Sequence, residues 1–208
     1  SGLSRYAVPA IGALLLTGLN FVGVLFWLPE SLTPERRARL ASKRHSVLPI
    51  RALRQALDRP RVRPLLQTRF FYRLAFGLFT ANFALFTQYR FGLTDQATSY
   101  ILTYVGVLVV LVQGFAVGRL TDRFSEKHII VVGVAVLAVA LLGWAIVPTV
   151  GLMLAVLALL PLSGGTLNTV TNSALTKAVR EDDVGGALGL STSLDSFTQI
   201  LAPMMGGF

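Results

Sequence analysis

Five polar residues stand where two apolar stretches would otherwise run unbroken. Asn168 and Asn172 interrupt one stretch, and Ser191, Asp195 and Gln199 interrupt the next. Asp195 is the sharpest of them. It lies eleven residues past Val184, about 16 Å along a helix at ~1.5 Å per residue. That depth is near the middle of a hydrocarbon core about 30 Å thick. A carboxylate there is costly and marks an ion or proton path, or else forms an interhelical hydrogen bond. In the first case Asp195 takes up and releases a proton; in the second it is a neutral structural group.

The spacing groups these residues. Gly165, Asn168 and Asn172 recur at i, i+3 and i+7 and share one helical face, while Ser191, Asp195 and Gln199 recur every fourth residue with Thr198 adjacent. A helix facing lipid all round has no use for such a stripe, whereas one lining a wet cavity does. Two neighbouring stripes would form part of a solute pathway. Asn82 and Gln113, each within an earlier apolar segment, are further candidates, either as pathway contacts or as interhelical hydrogen bonds. No nucleophile–base arrangement appears, and no G-x-x-x-x-G-K-[ST] loop for nucleotide hydrolysis. There is no cysteine, and the two histidines, His45 and His128, lie far apart in the chain. The reading is therefore of a protein that is not an enzyme, with no cofactor and no metal cluster.

The elements that must position these groups are apolar rods. Six segments, at about 7–28, 70–89, 97–117, 129–147, 150–175 and 184–208, have the length of a membrane span. The 208 residues are 53% hydrophobic and 14% charged, against about 25% charged in a soluble domain. Of the nineteen Lys and Arg residues, all but Arg5 and Arg90 fall in alternate gaps between segments. Lys and Arg mark cytoplasmic loops, so the connector at 31–68, the gap at 119–128 and the gap at 177–183 face the cytoplasm, with Ser1 outside. Arg69 and Arg73 are counted with the connector, at the base of the second span. The net charge of +9 tracks this sidedness rather than one face, which argues against nucleic acid as a partner.

Within the connector, Ile50, Leu53 and Leu57 share a face that Arg51 and Arg54 avoid. This suits a short helix in the headgroup layer, drawn to anionic membrane lipids, or a solvated linker. The pairs Gly114/Gly118 and Gly185/Gly189 have the spacing that lets two membrane helices approach closely. Pro161, Gly164 and Gly165 interrupt the fifth segment, and Pro203, Gly206 and Gly207 the sixth. These are sites of bending during a transport cycle or of static kinks. No Met opens the chain, and Phe208 ends inside an apolar segment; a piece of a longer protein is expected.

The run Gly118-Arg119-Leu120-Thr121-Asp122-Arg123-Phe124-Ser125-Glu126-Lys127 resembles the G-x-L-a-D-r-x-G-r-k loop of the major facilitator superfamily. It matches at Gly118, Leu120, Asp122, Arg123 and Lys127, and departs at Ser125 and Glu126. Ala202-Pro203-Met204-Met205-Gly206-Gly207 resembles the g-P-x-x-G-G signature of antiporters. Leu28-Pro29-Glu30-Ser31, followed by the basic connector, resembles the middle of drug:proton antiporters of the tetracycline-efflux type.

The resemblance implies an all-α polytopic membrane protein, its six transmembrane helices forming part of a twelve-helix fold. Residues 1–30 would hold the last helix of the N-terminal half, 31–68 the connector, and 69–208 helices seven to eleven. Helices one to five and twelve would be missing partners. The implied activity is alternating-access transport, proton-coupled efflux of small amphipathic compounds, in a bacterial inner membrane. A sugar or metabolite porter, and a membrane receptor or scaffold, are the alternatives. Gly118, Asp122, Arg123 and Lys127 would be gate residues. Asp195 departs from the family, whose corresponding slot usually holds a small or hydroxyl residue.

Overall fold

The structure, a computed structural model, describes residues 7–27 and 58–206. The described residues form six long helices: α1 (Ala7–Trp27), α2 (Arg63–Phe91), α3 (Asp95–Arg123), α4 (Glu126–Ile146), α5 (Val150–Ala178) and α6 (Val184–Gly206). A single 3₁₀ turn, Glu181–Asp183, leads into α6. The chain divides into two units, Ser1–Val47 and Leu48–Phe208. The first contains α1. Its 21 residues span roughly 31 Å, the thickness of a hydrocarbon core. Pro9 sits in its first turn, where a missing N–H removes no intrahelical bond.

The second unit contains α2 to α6. Pro64 stands in the first turn of α2. The far end of α2 is closed by Gly92, whose φ of 64° is the left-handed conformation that glycine adopts without strain. The Gly92 N–H donates to the Gln88 carbonyl at 2.9 Å and the Leu93 N–H to the Thr87 carbonyl at 3.3 Å, satisfying carbonyls the helix leaves open. Thr94 and Thr149 cap α3 and α5, each hydroxyl accepting from a backbone N–H three residues on. Helices α1 to α5 are long and apolar enough to cross a membrane. The 23 residues of α6 are long enough as well, and it is the helix that carries Asp195.

Helix boundaries differ from the sequence expectation in ways that matter. Helix α2 begins at Arg63 rather than near residue 70, so Arg69 and Arg73 stand inside it. They are not part of a basic loop. Helix α3 runs to Arg123, and only Phe124 and Ser125 separate it from α4. Helices α3 and α5 are each interrupted by a widened π turn, at Val112–Ala116 and Pro161–Gly165. The second accommodates Pro161, whose ring would collide with the carbonyl four residues back in a regular helix. Helix α6 continues across Pro203.

Helices α2 and α6 are parallel and keep one register. Arg59 pairs with Asp183 and Arg69 with Asp195, 124 and 126 residues apart. Farther along, a Cβ on Gly77 would stand 2.8 Å from the Cβ of Ala202, and one on Gly206 would strike the Asn82 amide. Close approach is therefore at Gly77 and Gly206, not at the glycines singled out by spacing. A Cβ on Gly114, Gly118, Gly185 or Gly189 would meet nothing within 4 Å among the described residues. Four-residue spacing of small residues permits contact but does not supply the facing helix.

Two apolar clusters hold the unit together. One, at the end of α2 away from Arg63, gathers Phe79, Phe83, Leu137, Ala140, Val147, Met153 and Leu157. The other, at the Arg63 end, is smaller: Val62, Leu66, Leu175 and Leu190. Between them lies the polar core.

Candidate functional site

Helical geometry stacks Arg69 and Arg73, four apart, on one face of α2, and Asn168, Thr171 and Asn172 on one face of α5. These two faces and Asp195 of α6 meet. Arg69 is only 5% exposed. Its Nε donates to Asp195 Oδ1 at 2.9 Å, and its Nη2 to Asp195 Oδ2 at 2.7 Å, a two-pronged pairing. Nη1 donates to Asn172 Oδ1 at 2.8 Å and to Thr171 Oγ1 at 3.5 Å, and Nη2 also reaches Asn168 Oδ1 at 3.5 Å. All five N–H donors of the guanidinium have acceptors. That is what a buried charge requires, since an unpaired one would carry a desolvation penalty of several kcal/mol.

Arg73 is less fully held. Its Nη2 donates to Asn168 Oδ1 at 2.8 Å and lies 3.2 Å from Asp195 Oδ2. Its Nε is buried without a hydrogen-bond partner among the described residues. Its guanidinium carbon stands 5.6 Å from the centre of the Tyr72 ring, within cation–π range. Two cations thus share one carboxylate, and the cluster carries a net charge of one.

Asp195, Asn168 and Asn172 are brought together at Arg69. Arg69 and Arg73, which complete the cluster, were not among the residues expected there. Their positive charge beside an apolar run reads as a loop flank under the sidedness rule. One signal does point to Arg69: Leu66, Arg69, Tyr72, Phe79 and Phe83 recur at helical spacing and are all buried. An intramembrane Asp195 also demands a cation.

The other candidates scatter. Ser191 is buried and its Oγ has no partner among the described residues, while Gln199 is exposed. A four-residue repeat drifts by about 40° per step on a helix of 3.6 residues per turn, so eight residues carry Gln199 away from the face Ser191 occupies. Thr198 donates to the Asp195 carbonyl. Asn82 donates to the Leu78 carbonyl of its own helix at 2.8 Å. Gln113, in the π turn of α3, lies over Gly165 in the π turn of α5. It lines a cavity of about 170 Å³ together with Tyr72, Arg73, Phe76, Leu160 and Asn168.

Gly118, Asp122 and Arg123 occupy the last turns of α3, and Lys127 the first turn of α4; all are exposed. Asp122, Arg123 and Lys127 make no ion pair among the described residues. Glu126, a departure from the family pattern, does: it accepts from Lys177 Nζ at 2.6 Å and from Ser173 Oγ at 3.2 Å. Gly207, the Leu28–Ser31 step and the segment Pro49–Leu57 lie outside the described residues.

The family profile described as Major Facilitator Superfamily matches residues 3–203. The chain belongs to the major facilitator superfamily, and it is an integral membrane protein of all-α fold. It is similar to solute carrier family 22 member 18 of Mus musculus, 34% identical over 96% of this chain and 50% of that protein. It is also similar to solute carrier family 67 member A1 of Homo sapiens, 30% identical over 99% of this chain and 50% of that protein. A third relative is the class C tetracycline resistance protein of Escherichia coli, 30% identical over 95% of this chain and 49% of that protein. The chain thus spans about half the length of the curated relatives it matches. No solved structure matches it significantly.

Proposed function

We propose that the chain is part of a secondary transporter working by alternating access, and that it couples efflux of small amphipathic compounds to proton entry. Its helices are assigned as six to eleven of a twelve-helix fold, with α1 closing the first half and α2 to α6 belonging to the second. The observation that carries the reading is the buried cluster Arg69–Asp195–Asn168–Asn172, ions held at membrane depth where they are costly and mark a path. The printed name of the Escherichia coli relative supports efflux, and a bacterial inner membrane is the proposed location.

The geometry refines the role of Asp195. Its carboxylate is held by Arg69, so a proton reaches it only when the pair opens. In the proposed cycle, Arg69 shifts its donors away from Asp195 as the halves rock, and the freed carboxylate accepts a proton from the water-filled side. Reclosure of the pair releases that proton to the other side. Asn168 and Asn172 give their Oδ1 acceptors to the guanidiniums, which leaves fewer acceptors for a sugar's hydroxyls. Asp122, Arg123 and Lys127, exposed at the α3–α4 corner, are proposed as latch residues against a helix outside these 208 residues.

The test uses the full-length protein in liposomes with an imposed proton gradient. Asp195→Asn is expected to reduce gradient-driven efflux at least about tenfold, a change of about 1.4 kcal/mol or more in the coupled step, while downhill exchange persists. Unchanged coupled efflux in that variant would sink the assignment. The 208 residues alone are expected to catalyse no uptake or efflux.

A further inference from the structure

Arg73 is the less secure of the two guanidiniums, and a cavity adjoins it. Its side chain is 29% exposed, against 6% for Arg69. Nη2 rests on Asn168 Oδ1 at 2.8 Å, and its 3.2 Å approach to Asp195 Oδ2 is the longer of the two contacts. Nε is buried with no partner among the described residues and is sealed off from solvent. It gains a partner only if the side chain itself moves. Buried polar groups in folded proteins find partners, and each that does not needs an explanation.

The cavity, about 170 Å³, is lined by Arg73 itself and by Phe76, Gln113, Gly165 and Asn168 among others. Gln113 is exposed, and its amide makes no hydrogen bond among the described residues. Gln113 Nε2 lies 3.6 Å from where a Cβ on Gly165 would stand. Gly165 and Asn168 are three apart on α5, so their Cβ positions are about 5–6 Å apart. The Gln113 amide is thus about one helical turn from the group on which Arg73 already rests. Gly165, with no side chain, leaves the space between them open.

We propose that this cavity is a second seat for the Arg73 guanidinium, and that Gln113 is the positioning residue that holds it there. Nη2 keeps Asn168 while the guanidinium turns away from Asp195 and offers its other donors to Gln113 Oε1. The move gives up one 3.2 Å contact, supplies an acceptor to donors that lack one, and leaves the two-pronged Arg69–Asp195 pairing in place. A charge inside the protein needs such acceptors wherever it goes. Asp195 then faces one cation instead of two. In the transport cycle proposed above this is the first step in freeing the carboxylate, and the seat rests on that reading only for its place in the cycle.

Two measurements on the full-length protein, neither needing a gradient, test it. The first is nuclear magnetic resonance of the ¹⁵N-arginine-labelled protein in lipid nanodiscs. The Nε–H signals of Arg73 and Arg69 are assigned by their loss in Arg73→Gln and Arg69→Lys. The Arg73 signal is expected to show microsecond-to-millisecond exchange between two environments, and the Arg69 signal none. Gln113→Leu, close in size but without the acceptor, is expected to lower the seated population at least about tenfold. Gln113→Glu keeps the acceptor, adds charge, and is expected to raise it at least about tenfold. The second is a double-mutant cycle on Arg73→Gln and Gln113→Glu, read by denaturant unfolding in detergent. Loss of Arg73 is expected to shift the unfolding equilibrium of the Gln113→Glu protein at least about tenfold more than that of the wild type, because the introduced carboxylate loses its cation. This cycle carries the test should the Arg73 signal be too weak to assign.

A single Arg73 environment, the same in the wild type and both Gln113 variants, overturns the proposal. So does an exchange that Gln113→Leu leaves unchanged, or an equal cost of Arg73→Gln in the wild-type and Gln113→Glu proteins. The outcome is separable from that of the transport assay. Two Arg73 environments without gradient-driven efflux leave the seat standing and remove the transporter reading. Efflux with Arg73 in one place does the reverse.

Discussion

The two halves of α2 are built on the same face with the same spacing, yet they are held by different physics. Nearer its start, Arg69 and Arg73 engage α5 and α6 through directional bonds of 2.7–3.5 Å. Beyond Phe76, the helix engages α4 through rings. Phe79 and Phe86 stand 5.0 and 4.3 Å from the centre of Trp144, and Phe79 stands 5.3 Å from Phe83. Ring packing is the sum of many weak contacts and is lost gradually as surfaces separate. An ion cluster is a choice among discrete partners. The first half of α2 is therefore the half in which exchange of partners between two discrete arrangements is to be sought. In the proposed transport cycle, the aromatic end would serve as the anchored part and the ionic end as the part that exchanges partners.

The largest effect expected from breaking this contrast is at Asp195. Asp195→Ala leaves Arg69 buried without its anion, and is predicted to destabilise the full-length protein in detergent by about 3–5 kcal/mol. Arg69→Met combined with Asp195→Leu removes the more tightly held pair, leaves Arg73 on Asn168, and is predicted to recover part of that loss. Denaturant unfolding of the wild type, Arg69→Met, Asp195→Leu and the double variant gives the coupling. If the double variant were as unstable as the sum of the singles, the pair would not be the holding interaction described here.

The all-α architecture was legible because it follows from hydropathy, which is local. Two ion pairs join helix ends on one side of the unit: Arg59 contacts Asp183, and Lys177 contacts Glu126. Asp195, Asn168 and Asn172 were legible as odd residues in apolar runs. Their partners were not, because Arg69 is 126 positions from Asp195 and no local pattern ties the two together. The charge rule also worked against it, since an Arg at the edge of an apolar run has a ready explanation in the positive-inside bias. Gly77 was invisible for a related reason: its partner is Ala202, and small-residue spacing cannot name the helix that faces it. Gln199 lies off the face of Ser191 because a four-residue repeat only approximates a helical face.

The aromatic half should respond differently. Phe79→Ala removes a buried ring that touches Trp144 and Phe83. In a membrane the transfer part of the loss is small, because lipid is as apolar as the core. The cavity part remains, and a cost of about 2 kcal/mol is expected. No second substitution should restore stability by charge balance. Pairing Phe79→Ala with Asp195→Ala should give nearly additive losses if the two halves are independent. A coupling above about 1 kcal/mol would mean that the aromatic end feels the ionic one, and the division into an anchor and an exchangeable end would fail.

The smallest effect comes from an ion pair of the same residue types in water. Arg59 and Asp183 lie 3.2 Å apart, with half and about two-fifths of their side chains exposed. Both ions are solvated before and after pairing, so little is gained by contact and salt screens what remains. A double-mutant cycle on Arg59→Gln and Asp183→Asn should give a coupling below about 1 kcal/mol, falling further at high salt. The Arg69–Asp195 coupling should be several times larger and nearly insensitive to salt, because the surrounding helices exclude the counter-ions. Should both couplings shrink alike as salt is added, Arg69 and Asp195 would have to be in contact with bulk water, and the distinction between a held and a solvated pair within this one unit would disappear.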